Sequence, residues 1–266
     1  MSIITLLTDF GSQDYFVGAM KGAILSINRH ALIIDITHEI PPQDIETAAF
    51  NLLATYKDFP AGTIHVAVVD PGVGSTRKPI LIECGEQFFV GPDNGIFSWI
   101  CEREGSGRAI HLTNEAFFRH PVSKTFHGRD IFAPVAAALS NGVAMTEFGE
   151  KLSDYVRLDP LLPAVTSDGG VEGRVIHIDR FGNCITNLTP EHFSADAAAS
   201  GAKLRINGRE LTSFRQSFSE GAVDRDDLFC LVGSAGFLEI AARNSSAAII
   251  LEAQRGNAVT LIAGRR

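Results

Sequence analysis

Apolar residues fall in short runs broken by polar loops, and the rhythm of those runs changes along the chain. Residues 3–7 form a first apolar run that stops at Thr8-Asp9-Phe10-Gly11. A helical pattern over about 14–28 follows, then a second buried-strand run over 31–36 and a helix over 44–56. Residues 63–69 make a third strand, ending at Asp70-Pro71-Gly72. Residues 79–84 and 87–90 read as a hairpin around Gly85, and helical patterns return over about 95–102 and 131–140. Strands that alternate with helices and are apolar almost throughout predict a mainly parallel central sheet covered on both faces, an α/β domain. Ligands of such sheets sit outside the carboxyl ends of the strands. TDFG, THEIPP and VVDPGVG each follow a strand, so the three loops are expected to share one rim.

The segment 158–170 (LDPLLPAVTSDGG) is rich in Pro, Gly and small residues and marks a domain boundary. The expected division is 1–163 and 164–266. Beyond it the runs shorten, to 173–178, 203–206, 227–232, 237–241 and 258–262. Asn207-Gly208 between two such runs is a strong hairpin marker. This half predicts a smaller C-terminal antiparallel β-barrel domain. Residues 194–201, small and polar, read as a loop or short helix. No internal repeat is visible.

Composition narrows the function classes. Hydrophobic residues make up 45% of the 266 positions, enough for a substantial core, and charged residues 20%, without long like-charge runs. The formal net charge of −8 argues against broad nucleic-acid binding, which depends on basic surface. No stretch approaches the roughly 20 apolar residues of a membrane span, and Asp9 comes too early for a signal peptide, so a cytoplasmic protein is expected. Cys84, Cys101, Cys184 and Cys230 form no C-x-x-C pair and have no His partners at zinc spacing, which predicts buried, reduced thiols and no metal site.

Several polar residues could carry chemistry, and each has a plainer reading. Asp9 could accept both hydroxyls of a ribose, or cap the following helix. Asp70, Arg77 and His127 could together orient and deprotonate a water; alternatively Asp70 shapes a turn, Arg77 is solvated and His127 is merely satisfied. Arg129-Asp130 could be a structural ion pair beside His127. In IDRFGNCITN, Asn183 could pair with an adenine edge, Phe181 stack on the base and Asp179 neutralise an ammonium, or Gly182-Asn183 could simply turn the chain. In GSAGFLEIA, Ser234 and Glu239 are the polar candidates, and backbone N–H groups there could hold a carboxylate. No P-loop, GxGxxG, HExxH or GxSxG motif is present.

In order along the chain stand ITLLTDFG, DITHEIPPQDI, VAVVDPGVG, GPDNGI, TFHGRDIFAP, IDRFGN and SAGFLEIA. No single motif is decisive, but the ordered set is highly specific and spans nearly the whole chain. It resembles the adenosine-forming S-adenosyl-L-methionine hydrolases, also called SAM hydroxide adenosyltransferases, which are related to fluorinating and chlorinating enzymes acting on the same substrate. The resemblance implies an N-terminal α/β domain, a C-terminal β-barrel domain, and a homotrimer with sites at subunit interfaces. It implies no cofactor. By position, Asp70, Arg77 and His127 match the family's water-handling triad and Asp9 its ribose-binding aspartate. Asp179 and Ser234 match residues that hold the methionine part, Asn183 the adenine reader, and Glu239 fits the hydrolase pattern. The halogenating relatives carry tyrosines in place of Asp70 and His127, a serine in place of Gly128, and tend to carry a tryptophan in place of Gln43, so the residues here favour water over halide.

The expected reaction is hydrolysis of S-adenosyl-L-methionine to adenosine and L-methionine by in-line attack of water at the ribose C5′. Asp70 is expected to fix Arg77, while Arg77 and His127 orient the water; the group that removes its proton stays open between His127 and Asp70. A 5′-halogenase predicts a chlorinated nucleoside at high chloride. A non-catalytic adenosine or S-adenosyl-L-methionine sensor predicts binding without turnover.

Overall fold

The computed structural model describes residues 2–105, 107–167, 169–192, 201–220 and 226–262. Its contacts divide the chain into two compact units, Met1–Pro160 and Leu161–Arg266.

In the first unit the strands are β1 (Ile3–Thr8), β2 (Leu32–Thr37), β3 (Ile64–Val68), β4 (Pro79–Cys84), β5 (Gln87–Pro92), β6 (Arg108–Leu112) and β7 (Gly149–Leu152). They lie in the order β2-β1-β3-β5-β4-β6-β7. The pairs β1–β2, β1–β3 and β3–β5 are parallel, and β4–β5, β4–β6 and β6–β7 are antiparallel. The sheet is therefore mixed, not mainly parallel. The reversal follows from the tight Gly85-Glu86 turn, because strands joined by so short a turn must run antiparallel. The polar sequences of β6 (RAIHL) and β7 (GEKL) hid both strands, since they extend the sheet toward an open edge.

The helices are α1 (Phe16–Ile27), α2 (Ile45–Thr55), α3 (Ser98–Arg103) and α4 (Ala133–Ser140). Alternation along β1 and β3 serves both faces of the sheet. Ile4, Leu6, Val66 and Val68 share one core with Met20 and Ile24 of α1 and Val135 and Ala137 of α4. Thr5, Leu7 and His65 are buried as well and point to the opposite face. α2 starts where Asp44 accepts the N–H of Thr47 at 3.0 Å, a side-chain cap.

The second unit contains β8 (Ala164–Val165), β9 (Val171–Ile178), β10 (Cys184–Thr186), β11 (Lys203–Ile206), β12 (Arg209–Leu211), β13 (Leu228–Val232), β14 (Leu238–Ala242) and β15 (Ala258–Ile262). The path β12-β11-β15-β9-β10-β14-β13 is antiparallel throughout, and β8 also pairs with β9. The chain leaving β12 then runs beside β13. Cys230 donates to Ser213 O and Arg215 to Cys230 O, each at 2.8 Å, so the sheet nearly closes into a barrel. Its interior holds Val175, Cys184, Leu204, Cys230, Ile240 and Val259. At the β11–β12 turn, Asn207 (φ 45°) and Gly208 (φ 76°) both take the positive angles that a two-residue hairpin requires. Of the expected loop or helix at 194–201, residues 194–200 lie outside the described residues. The four cysteines are free and buried. Among the described residues no helix is long and apolar enough to cross a membrane.

Candidate active site

The chain beyond β3 is braced before it reaches Asp70: Asn94 Nδ2 donates to Val69 O at 2.8 Å. DPGVG then folds back on itself, with Val73 donating to Asp70 O at 3.2 Å and Ser75 to Gly72 O at 3.1 Å. Gly74 (φ 74°) has no room for a side chain, because a Cβ there would stand 2.2 Å from Lys124 O. This close approach presses the Asp70 loop against the segment that carries His127.

The contact joins three of the candidate residues. Arg77 Nε donates to Asp70 Oδ1 at 2.9 Å, and its Nη2 pairs with Asp70 Oδ2. The same Nη2 reaches His127 Nδ1 at 2.6 Å. The guanidinium lies 5.4 Å over the Phe132 ring. The side chains of Arg77 and Asp70 are only 10% and 5% exposed, yet Arg77 Nη1 has no hydrogen-bond partner among the described residues. A buried, forked cation with one nitrogen left over is costly unless something polar is to meet it.

Geometry fixes the state of His127. A guanidinium donates only, so Nδ1 facing Arg77 must accept, and the imidazole proton sits on Nε2. Burial, and then the Arg77 charge, hold the pKa of His127 below 6.5, against opposing pulls from Asp70 and Asp130. His127 is thus a neutral ring whose remaining N–H is a donor. The neighbouring Arg129–Asp130 pair is structural: Asp130 is fully buried and accepts from Arg129 Nε at 2.6 Å, Arg129 Nη2 at 2.9 Å and Ser123 N at 2.8 Å.

Asp9 does not cap α1. That helix begins at Phe16, with no side-chain cap from Tyr15. Asp9 Oδ2 instead accepts the backbone N–H of Gln43 at 2.8 Å, and Gln43 takes the unusual φ of 67°. Asp9, Phe10, Gln43, Asp70, Phe126 and His127 line part of one cleft of about 400 Å³, within the range of small-molecule sites. A larger hollow of about 800 Å³, lined by residues such as Ala23, Ile27, Phe117 and Pro134, brings no reactive group beyond Arg119.

The other candidates lie in the second unit. Asp179 organises a turn: Oδ1 accepts from Phe181 N at 2.9 Å and Asn183 N at 2.8 Å, and Oδ2 from Asn183 Nδ2 at 2.8 Å. Asn183 is buried, whereas Phe181 stands 77% exposed at the tip. Gly182 (φ 83°) is obligatory there, since a Cβ would fall 2.0 Å from Ser246 Oγ. Ser234 is exposed in the β13–β14 turn, where the N–H groups of Gly233 and Gly236 are taken up by Phe237 O and Gly233 O. The carboxyl of Glu239 lies against Gly233, and burial together with the charge of Asp179 pushes its pKa up to about 6.

Sequence reasoning overlooked Asn94, although GPDNGI was a visible motif, and it overlooked the backbone N–H of Gln43. A chain turn at PPQD hinted at the second. Among the described residues no three His, Cys, Asp or Glu side chains are grouped to hold a metal ion.

Residues 4–149 match the model of the SAM hydroxide adenosyltransferase N-terminal domain, and residues 173–260 that of the C-terminal domain. The chain is 41% identical to an (R)-S-adenosyl-L-methionine hydrolase of Methanocaldococcus jannaschii, over 90% of this chain and 88% of that one. A fluorinase of Nocardia brasiliensis is 25% identical over 98% and 97%. A crystal structure of an uncharacterized conserved protein from Thermotoga maritima superimposes with a TM-score of 0.90 at 36% identity, covering 98% of this chain and 100% of that one.

Proposed function

This chain belongs to the SAM hydroxide adenosyltransferase family, and on that footing we propose that it hydrolyses S-adenosyl-L-methionine to adenosine and L-methionine. The observation that carries the reading is Arg77, bridged between Asp70 and His127, with the latter two in the wall of the cleft that contains Asp9.

The chemistry needs little beyond a placed oxygen nucleophile. Water oxygen forms the new bond to C5′ while the C5′–S bond breaks. Its electron pair stays on sulfur, so the sulfonium leaves as a neutral thioether and needs no acid and no cofactor. The water loses one proton. Arg77 Nη1 and the Nε2–H of His127 are the two donors left over, and together they would hold the water and favour its hydroxide form. With its Nδ1 lone pair engaged by Arg77, His127 serves as donor and not as base, and the proton passes to solvent. Asp70 keeps the guanidinium fork in register. Hydroxide meeting a sulfonium annihilates charge, so a partly desolvated cleft speeds the step, and in-line placement supplies much of the remainder.

Asp9 would take the ribose hydroxyls. In the second unit Asn183 and Phe181 would read and stack the adenine, and Asp179, Ser234 and Glu239 would hold the methionine end. The working form is a homotrimer in which one subunit's N-terminal domain and a neighbour's C-terminal domain complete each site, which light scattering of the purified protein tests.

For the activity, purified protein is incubated with S-adenosyl-L-methionine in ¹⁸O-labelled water and the products are separated by chromatography. Equimolar methionine and adenosine labelled at the 5′ oxygen are expected. A 5′-chlorinated nucleoside at high chloride, or binding without turnover, would replace this reading by a halogenase or a sensor.

A further inference from the structure

The TDFG loop that presents Asp9 is anchored to the end of the neighbouring strand, in part through one side chain. Thr8, the fully buried last residue of β1, lies with Oγ1 2.8 Å from His38 Nδ1 and accepts the N–H of Phe10 at 3.2 Å. The carbonyl of His38 accepts the N–H of Gly11 at 2.7 Å. Asp9 sits between these anchors, and its carboxylate is tied to Gln43, on the same β2–α2 connection as His38. His38 is held in turn. Its Nε2 lies 3.1 Å from Asp35 Oδ1, an oblique electrostatic contact short of an aligned hydrogen bond, and Lys21 Nζ donates to Asp35 Oδ2 at 2.6 Å. Burial pushes the Asp35 carboxyl up, but Lys21 and His38 outweigh it and keep the group ionised. A ring with a single proton meets these contacts with the Thr8 hydroxyl donating to Nδ1 and Nε2–H facing Asp35.

We infer that His38 is a positioning residue for Asp9, and that through Thr8 it sets how strongly the site prefers ribose over 2′-deoxyribose. The inference rests on the reading that Asp9 binds the ribose hydroxyls. A carboxylate must be held within about half an ångström to accept two hydroxyls at once. A loop that loses its anchor lets the carboxylate wander, and the hydroxyls lose a partner while the base and the rest of the sugar keep theirs. A hydrogen bond to a charged group changes affinity on the order of 10- to 100-fold.

The experiment is calorimetric titration of adenosine and 2′-deoxyadenosine into wild type, Asp9→Ala, His38→Ala, His38→Asn and Thr8→Val, with KM and kcat for S-adenosyl-L-methionine measured alongside. Wild type is expected to prefer adenosine by on the order of 10-fold or more, and Asp9→Ala to erase the preference. His38→Ala is expected to remove most of the preference with little change for 2′-deoxyadenosine, and to raise KM more than it lowers kcat. His38→Asn, whose amide oxygen can accept from Thr8, restores much of it. Thr8→Val keeps the shape, removes the hydroxyl link and reproduces the His38→Ala pattern even if His38→Ala folds poorly. An unchanged preference in His38→Ala and Thr8→Val, or an equal loss for both nucleosides, overturns the inference and leaves the function intact. No nucleoside binding by wild type overturns the inference, and no turnover of S-adenosyl-L-methionine besides overturns both.

Discussion

Asp70 and Asp179 both stand just beyond a β-strand, one in each unit, but their carboxylates have different kinds of partner. Asp70 faces the guanidinium of Arg77, seven residues away, whose Nη2 in turn meets His127, fifty residues further on. Among the described residues Asp179 accepts only from groups within four residues, two backbone N–H groups and the amide of Asn183. The first arrangement is a relay between side chains that ends in two donors unengaged among the described residues. The second is a closed local motif whose product is a shape, a turn that holds Phe181 outward and Asn183 inward. A charged group that aims another side chain bears on the reacting atoms, whereas one bound to its own backbone acts on stability and on where its neighbours sit.

The largest expected effects follow from the relay. Asp70→Asn, Arg77→Lys and His127→Ala should each lower kcat by roughly 100- to 1,000-fold, the range seen when one preorganised donor is lost, while the melting temperature falls for Asp70→Asn, which leaves a buried guanidinium unpaired, and changes less for the other two. Lysine keeps the charge but has no planar fork, so it cannot hold Asp70, His127 and a water together. Steady-state kinetics beside thermal melts tests this, and a kcat within threefold of wild type for Arg77→Lys would remove the relay from the mechanism.

Next in size is the pH dependence. The folded pKa of His127 lies below 6.5, so the neutral, accepting Nδ1 persists at neutral pH and is lost as pH falls through the lowered value. Activity should therefore decline on the acid side with an inflection below 6.5. The negative charge of Asp70 raises the His127 pKa, so in Asp70→Asn the inflection of the residual activity should move to still lower pH. A shift toward higher pH would contradict the Arg77–His127 contact as drawn.

The same contrast explains how much could be read from the chain. Local features were legible: the apolar runs of β1 and β3, Asn207-Gly208 at its hairpin, and Asp9, Asp70 and His127 at element ends. The convergence of Asp70, Arg77 and His127 depended on resemblance, because their spacing carries no local periodicity. The antiparallel β4–β5 hairpin was legible at Gly85, but the antiparallel pairings of β4 with β6 and of β6 with β7 escaped, since neither β6 nor β7 stands out as an apolar run. His65 escaped as well: second in IHVAV, it looks like an interruption, yet it is buried between the Thr5 hydroxyl (2.8 Å) and Gln87 Oε1 (3.1 Å), partners far off in sequence. The backbone partners of Asp179 escaped too, because such partners leave no trace in residue type.

The second unit should answer in stability before rate. Asp179→Ala leaves two N–H groups and the Asn183 amide without their acceptor, at a cost of about 1–3 kcal/mol. Urea unfolding should show that loss, while KM rises and kcat stays within a fewfold of wild type. A kcat loss as deep as that of Arg77→Lys would erase the distinction between the two aspartates.

The smallest effect concerns Glu239, on which Asp179 acts at a distance. Burial and that neighbouring charge raise its pKa to about 6 from an ordinary 4.5. An acid whose folded pKa is raised contributes most below its unfolded value, and the contribution fades as pH rises through the folded one. Near neutral pH the native state therefore carries a carboxylate it would rather protonate. Glu239→Gln removes that charge and keeps the shape, so it should raise the urea midpoint near neutral pH by an amount worth less than about 1 kcal/mol, because Glu239 is partly solvated. At pH 4.5, where the wild-type group is protonated in the folded state, the gain should largely vanish. In an Asp179→Asn background the gain should shrink even near neutral pH, since part of the cause is gone. An equal gain at both pH values would trace the effect to packing and separate Glu239 from Asp179 electrostatically.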